Sequence, residues 1–270
     1  MANKLISDQM GTIFPLQQPP ERIISLVPSL TELIVELGMG DKVVGVTKFC
    51  THGGLDRKKL SVGGTKNPNL LKIKQLNPDW IFANKEENRE QDVETLQQYA
   101  HVWVSEVKNL ADNLQVVESF GTIFAREQEA SLLISNIREK FSSLEDYLAD
   151  KPRPKVAYLI WENPIMVAGG DTFIHDMLNW AGFENVFGDK SRYPTLTSTE
   201  LANCGADLLF LSSEPYPFGS SHLQKYAEIN PKMRPLLADG EFFSWYGSRP
   251  LLAVDYFRQL WVENGDKFNF

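Results

Sequence analysis

Short apolar runs alternate with stretches in which apolar residues recur every three or four positions, and these two periods divide the chain into strands and helices. In the first part, residues 23–27, 42–47, 80–83 and 101–104 read as strands, with helices up to Leu37, over 70–76 and over 91–99. Such alternation predicts a parallel sheet with helices on both faces. Residues 22–38, RIISLVPSLTELIVELG, spell the unit most fully. Pro28 stops the strand, Ser29 and Glu32 have the spacing of a capping box, and Leu30, Leu33, Ile34 and Leu37 share one helix face. Gly38 then supplies a left-handed exit. The opening DQMGTIFPLQQPP, held off from helix by its prolines, reads as a turn or hairpin leading in.

From residue 110 to 147 no strand interrupts the helical pattern, which is marked by Leu110, Leu114, Val117, Leu133, Ile137, Phe141 and Leu144. Gly121 and Arg126-Glu127-Gln128 predict a break between two helices. The second, about 24 residues, would be roughly 36 Å long, and Pro152 and Pro154 end it. Strands at 155–161, 207–211 and 242–243 then alternate with helices at 173–181, 199–204, 223–229 and 251–262, Gly182 closing the first of these. NLLKIKQLNPDWIFAN, from Asn69, and STELANCGADLLFLSS, from Ser198, share one layout: capped short helix, breaker pair, aspartate, apolar strand. Placed at corresponding points, they favour two related halves. The fold class is therefore α/β, with two lobes (residues 1–109 and 152–270), each a parallel sheet flanked by helices, joined by long linking helices over 110–151.

Composition narrows the function classes. The net charge is −8, and no Lys/Arg run exceeds Arg57-Lys58-Lys59, which reads as solvated surface. A nucleic-acid partner needs a cationic face and is not expected. Cys50 and Cys204 lie in opposite halves, which argues against a disulfide. No apolar run approaches the ~20 residues of a membrane span, so membrane insertion is not expected. MANKLISDQMGTIF has no apolar leader segment, so the chain as written is expected to be cytoplasmic, or periplasmic if a leader lies upstream. No GxSxG, P-loop or GxGxxG occurs. The Gly63-Gly64 and Gly169-Gly170 pairs predict tight turns and nothing more specific. His52, His101, His175 and His222 lack paired spacing, so no metal site is expected. His101 reads as a structural residue, and His52, in the loop after the second strand, is the candidate axial ligand to a metal carried inside a bound ligand.

Open parallel sheets bind ligands outside the carboxyl ends of their strands, and here those positions are aromatic: Phe49, Trp161, Tyr216, Phe218, Trp245 and Tyr246, joined by Tyr193 in the loop GDKSRYPTLT if the lobes face each other. Flat rings suit a large planar or ring-shaped ligand. Lys66, Asn84, Lys85, Glu162, Glu214 and Arg249 add polar groups in the same loops. The candidate ligand-binding residues are Phe49, Lys66, Asn84, Trp161, Tyr193, Trp245, Tyr246 and Arg249. No residue is assigned to catalysis in this reading. A second reading makes Glu162 and Glu214 the acid and base of a glycoside-hydrolase-type enzyme; a third is a cytoplasmic carrier or regulator with the same fold.

The opening thirty-odd residues through VELG, VGGTKNPNLLKIKQLNPDWIFAN and the long midchain helix together resemble the class III periplasmic binding proteins, helical-backbone receptors for cobalamin, haem and ferric siderophores. Through PSLTEL, GVTKF, NPDWIFAN and TSTELANCGAD the chain is most similar to the cobalamin-binding branch. The resemblance implies a non-catalytic substrate-binding protein of an ABC transporter, two lobes joined by a rigid helix, and a cobalamin, haem or ferric siderophore ligand held between them, with no intrinsic cofactor. Carried over by position, the family's stacking tyrosine falls on Phe49, a second-lobe tryptophan on Tyr193, and the terminal aromatic loop near Trp245. Two further pocket tryptophans fall on Lys66 and Asn84. Of the two glutamates with which such receptors dock on an ABC permease, one matches Glu200 and the other falls on Leu71.

Overall fold

The computed structural model describes residues 4–52, 54–55, 60–265 and 268. The Arg57-Lys58-Lys59 run lies outside them. The chain divides into two compact units, the first made of Met1–Val107, Ala111–Asn136 and Tyr246–Arg249, the second of Lys108–Leu110, Ile137–Trp245 and Pro250–Phe270. The helical stretch read as a linker over 110–151 is thus shared between the units, and a four-residue segment near the end of the chain returns to the first.

In the first unit, β1 (Lys4–Ser7) and β2 (Ile13–Leu16) form an antiparallel hairpin. Asp8 shapes its turn, Oδ1 accepting from the Met10 and Thr12 amides at 3.0 and 2.7 Å. The main sheet is parallel, in the order β4 (Val43–Val46), β3 (Ile23–Ser25), β5 (Trp80–Asn84), β6 (His101–Ser105). Every residue of β5 is buried, as a central parallel strand covered on both faces requires. Its Phe82 packs on Phe120 and Phe124, with ring centroids 4.5 and 5.4 Å apart. His101 is exposed at the head of β6, its ring against Trp80 and Phe14.

Helix α1 (Pro28–Glu36) corrects the expected capping box. Its N-cap is Val27, with no side-chain cap; Pro28 takes the first helical position and Ser29 is buried inside the first turn. Proline has no amide to leave unsatisfied there and its φ is already helical, so Glu32 is released to pair with Arg249. Gly38 ends the helix as expected, at φ +77. Helices α2 (Leu70–Gln75) and α3 (Glu90–Leu96) follow.

The midchain helices are α4 (Leu110–Phe124) and α5 (Glu127–Leu148). The break between them falls at Ala125, with φ 52. Gly121 remains helical: a Cβ there would lie 2.4 Å from that of Ala130, so its glycine permits close packing across the break rather than making it.

The second unit contains a six-stranded sheet in the order β10 (Thr195–Leu196), β8 (Ile165–Val167), β7 (Lys155–Trp161), β11 (Leu208–Ser212), β12 (Arg234–Ala238), with β9 (Glu184–Asn185) also on β7. β7, β11 and β12 form the parallel core; β8 and β10 add an antiparallel pair that the sequence pattern did not single out. Helices α6 (Phe173–Trp180), α7 (Ser198–Ala202), α8 (Ser220–Ala227), α9 (Gly240–Ser244) and α10 (Pro250–Asn264) complete the unit. Residues 242–243, expected as a strand, belong to α9. The strand is β12, masked in the sequence by Pro235, which an edge strand paired only with β11 tolerates.

The layout shared by the two halves has a structural counterpart. Asp79 accepts from the Arg22 amide at 3.0 Å, while its own amide bonds to Arg22 O and its carbonyl accepts from His101 N. Asp207 accepts from the Lys155 amide at 2.8 Å, bonds to Lys155 O and accepts from Arg234 N. In each unit one aspartate pins the starts of the two strands beside its own, which fixes parallel register where no hairpin turn can.

Candidate functional site

At the carboxyl end of the first unit's sheet, Phe49 is 49% exposed, with Lys48 Nζ 4.9 Å from its ring centroid. The ring stands over Gly64, where a Cβ would lie 3.6 Å from Phe49 Cε2. Lys66 Nζ donates to Glu86 O, and Lys85 Nζ pairs with Glu106 at 2.8 Å.

Asn84 is buried and wholly engaged. Its Nδ2 donates to Ser105 O and Oγ at 3.2 and 3.0 Å, and its Oδ1 accepts from the Glu86 and Glu87 amides. Asn88 extends the network, accepting from Asn84 N and donating to Thr65 O. These bonds fix the loops after β4, β5 and β6 against one another; a buried network with every member satisfied is rigid.

Tyr246 is buried as well, its hydroxyl 3.0 Å from Ser105 Oγ, and burial pushes its phenol well above the usual range. The next residue, Gly247, exchanges bonds with the Asn113 side chain. Arg249 is 5% exposed and ion-paired with Glu32 at 3.0 Å. Asn84, Tyr246 and Arg249, proposed from sequence as ligand contacts, are thus committed to the scaffold of their own unit. His52 is half-buried in the loop after β4. Among the described residues no group of three or more His, Cys, Asp or Glu side chains could hold a metal ion.

In the second unit, Trp161 ends β7 at 39% exposure, its Nε1 donating to Asn163 O at 3.1 Å and its ring edge-on to Tyr216 with centroids 5.5 Å apart. Tyr193 is half-buried, with the Arg192 guanidinium 5.7 Å from its ring centroid. Its loop is clasped by Asp171, which accepts from Ser191 Oγ and the Arg192 amide, and by Gly169 N and Gly170 N, which donate to Arg192 O and Lys190 O. The Gly169-Gly170 pair is therefore more specific than a generic tight turn: it lets a second backbone approach closely and present Tyr193. The adjacent aspartate was the signal for it in the sequence. Trp245 is 9% exposed, and its Nε1 donates to Glu214 at 2.6 Å.

Glu162 accepts from Tyr216 Oη at 2.5 Å and from Lys225 Nζ at 2.9 Å. Those bonds, Tyr216 first, hold its carboxyl below the usual carboxylate range. A depressed carboxyl stabilises the fold above its ordinary pKa, and the contribution disappears as pH falls through that value to the folded one. Melting temperatures measured downward from about pH 5 are expected to fall less steeply in Glu162→Gln than in the wild type. Equal slopes would show that the pair contributes nothing to the fold.

Glu200 is exposed in the first turn of α7 and closes a capping box with Thr197. Its position at a helix start is one where negative charge is favoured. Leu71, at the second residue of α2, is 76% exposed.

Residues 23–230 match the model of a family described as periplasmic binding protein. The chain belongs to that family. The class III resemblance read from its motifs is borne out. A vitamin B12-binding protein of Vibrio vulnificus is 27% identical over 199 residues, covering 72% of this chain and 72% of its own. Two solved structures share the fold: the periplasmic vitamin B12 binding protein BtuF of Vibrio cholerae (TM-score 0.75, 23% identity, 89% of this chain and 96% of that one) and a periplasmic heme binding protein from Pseudomonas aeruginosa (TM-score 0.79, 21% identity, 89% and 92%). Membership in a periplasmic family with periplasmic relatives overturns the cytoplasmic location expected from the opening residues. The polar character of residues 1–14 was too weak a sign to carry that conclusion. No helix among the described residues is long and apolar enough to cross a membrane.

Proposed function

We propose that this periplasmic binding protein captures a metal chelate, cobalamin or a related haem or ferric siderophore, and delivers it to an ABC permease. The observation that carries this reading is the exposure of Phe49 and Trp161 at 49% and 39%. Ligands of open α/β sheets sit outside the carboxyl ends of the strands, where an exposed ring offers a large, rigid contact face. The similarity to vitamin B12-binding relatives puts a corrinoid first among the candidates. Spectral titration of the purified chain with cyanocobalamin and with haem is expected to give a Kd of about 10 μM or tighter for at least one of them. Phe49→Ala and Trp161→Ala are each expected to weaken that binding about tenfold. Wild-type protein that binds neither compound sinks the proposal.

The protein acts without catalysis in this reading. Glu162 is tied to Tyr216 and Lys225 and Glu214 to Trp245 and Ser244, so the geometry lends nothing to a paired-carboxylate hydrolase. Glu200 is the proposed permease contact. Glu200→Ala is expected to cut permease-dependent uptake of the bound chelate severalfold while leaving the Kd for it unchanged. An unchanged uptake rate would remove Glu200 from the docking surface.

A further inference from the structure

The side chains behind Trp161 form a graded stack. Phe218 and Tyr226, 6% and 1% exposed, make its floor, with centroids 5.9 Å apart. Tyr216 lies on that floor, 4.6 Å from the Phe218 centroid, and meets the outermost ring, Trp161, edge-on. The stack draws on three elements: the end of β7, the loop after β11, and α8.

One carboxylate locks these elements together. Glu162, next in the chain to Trp161, takes the Tyr216 hydroxyl on one oxygen and Lys225 Nζ on the other, with His222 Nε2 3.9 Å away. His222 is itself fixed, its Nδ1 accepting from Gly219 N at 3.0 Å, and its ring packs edge-on against Tyr216 and Phe218. A hydrogen bond to an ionised acceptor is short and strong, and this one anchors the hydroxyl end of Tyr216, while Phe218 and His222 pack against its ring. The anchored ring meets the indole edge-on and the indole Nε1 donates to Asn163 O, so Trp161 is held from two sides.

We propose that Glu162 and Tyr216 are positioning residues for Trp161, holding its exposed face ready for the ligand. The inference rests on the reading of Trp161 as a ligand platform and adds to it how the platform is fixed. A ring frozen before binding spares the ligand the entropy of ordering it, so the pair acts on affinity without touching the ligand.

Tyr216→Phe removes one hydroxyl and leaves the ring. The near-ultraviolet circular dichroism band of the indole, defined as the difference between wild type and Trp161→Phe without ligand, is expected to fall by more than half in Tyr216→Phe. Glu162→Gln acts on the same bond from the other side and is expected to do likewise. In titrations with cyanocobalamin or haem, Tyr216→Phe is expected to weaken binding about tenfold in the wild type and less than about twofold in Trp161→Ala, because coupled residues are non-additive. A band unchanged in both variants overturns the proposal, as does an equal loss of affinity in both backgrounds. If Trp161→Ala leaves affinity unaltered, the ligand role of that ring fails, while the band still decides whether the pair holds it.

Discussion

Replacing Arg249 with alanine is expected to destabilise the first unit by about 3–5 kcal/mol. Arg249 is 5% exposed; its Nε donates to Glu32 Oε2 at 3.0 Å and its Nη2 lies in ion-pair range of Oε1 at 3.0 Å, between side chains that are 6% and 16% exposed. Truncation takes the guanidinium away from a largely desolvated Glu32 carboxylate, a loss that outweighs what the intact pair contributes. Replacing both partners, as Glu32→Leu with Arg249→Met, is expected to recover most of the loss. Because a two-unit chain need not unfold in one step, the measurement is hydrogen exchange resolved by peptide, with protection falling first in α1. Arg249→Ala that weakens ligand binding while leaving α1 protection intact would instead return Arg249 to the ligand site.

The second large effect is expected at Gly170. A Cβ there would lie 2.0 Å from Gly188 O and 2.9 Å from Gly188 C. Both are backbone atoms, so no rotamer relieves the clash, and the loop at 188–193 must move. That movement breaks the Gly170 N to Lys190 O bond of 2.7 Å and strains the Gly169 N to Arg192 O bond of 2.8 Å. Gly170→Ala is expected to lose about 3 kcal/mol, the upper range of overpacking, and to displace Tyr193, whose loop those bonds hold. Chemical denaturation of the variant against Gly265→Ala gives the comparison, since a Cβ on Gly265 meets nothing within 4 Å and surface changes of that kind stay within about 0.5 kcal/mol. Equal midpoints for the two variants would show that the loop yields freely.

The exposed aromatic rings on which the proposed function rests were only partly legible in the sequence. Position after a strand end singled out Phe49 and Trp161, and the loop at 188–197 added Tyr193; the structure leaves all three rings at least partly exposed. The same rule chose Asn84, Tyr246, Trp245 and Arg249, which are buried and bonded within their own units. The rule counts distance along the chain, whereas burial depends on what a different segment brings across. Ser105 lies 141 residues from Tyr246, and Glu32 lies 217 from Arg249. The capping box at Ser29 misled for a related reason: its spacing was correct, but Pro28 claimed the first helical position and Arg249 claimed Glu32.

What the sequence determined by itself was most of what has a short period: strands β3 to β7 and β11 and most of the helices, the left-handed exit at Gly38, the twin layout around Asp79 and Asp207, and through its motifs the family. Local sterics and side-chain spacing act within a few residues, so a single chain displays them. Tertiary structure alone decided that Pro235 sits in an edge strand, that Gly121 packs rather than breaks a helix, and which aromatic rings remain in water. Each depends on the partner that folding delivers from far along the chain, and no periodicity encodes that partner.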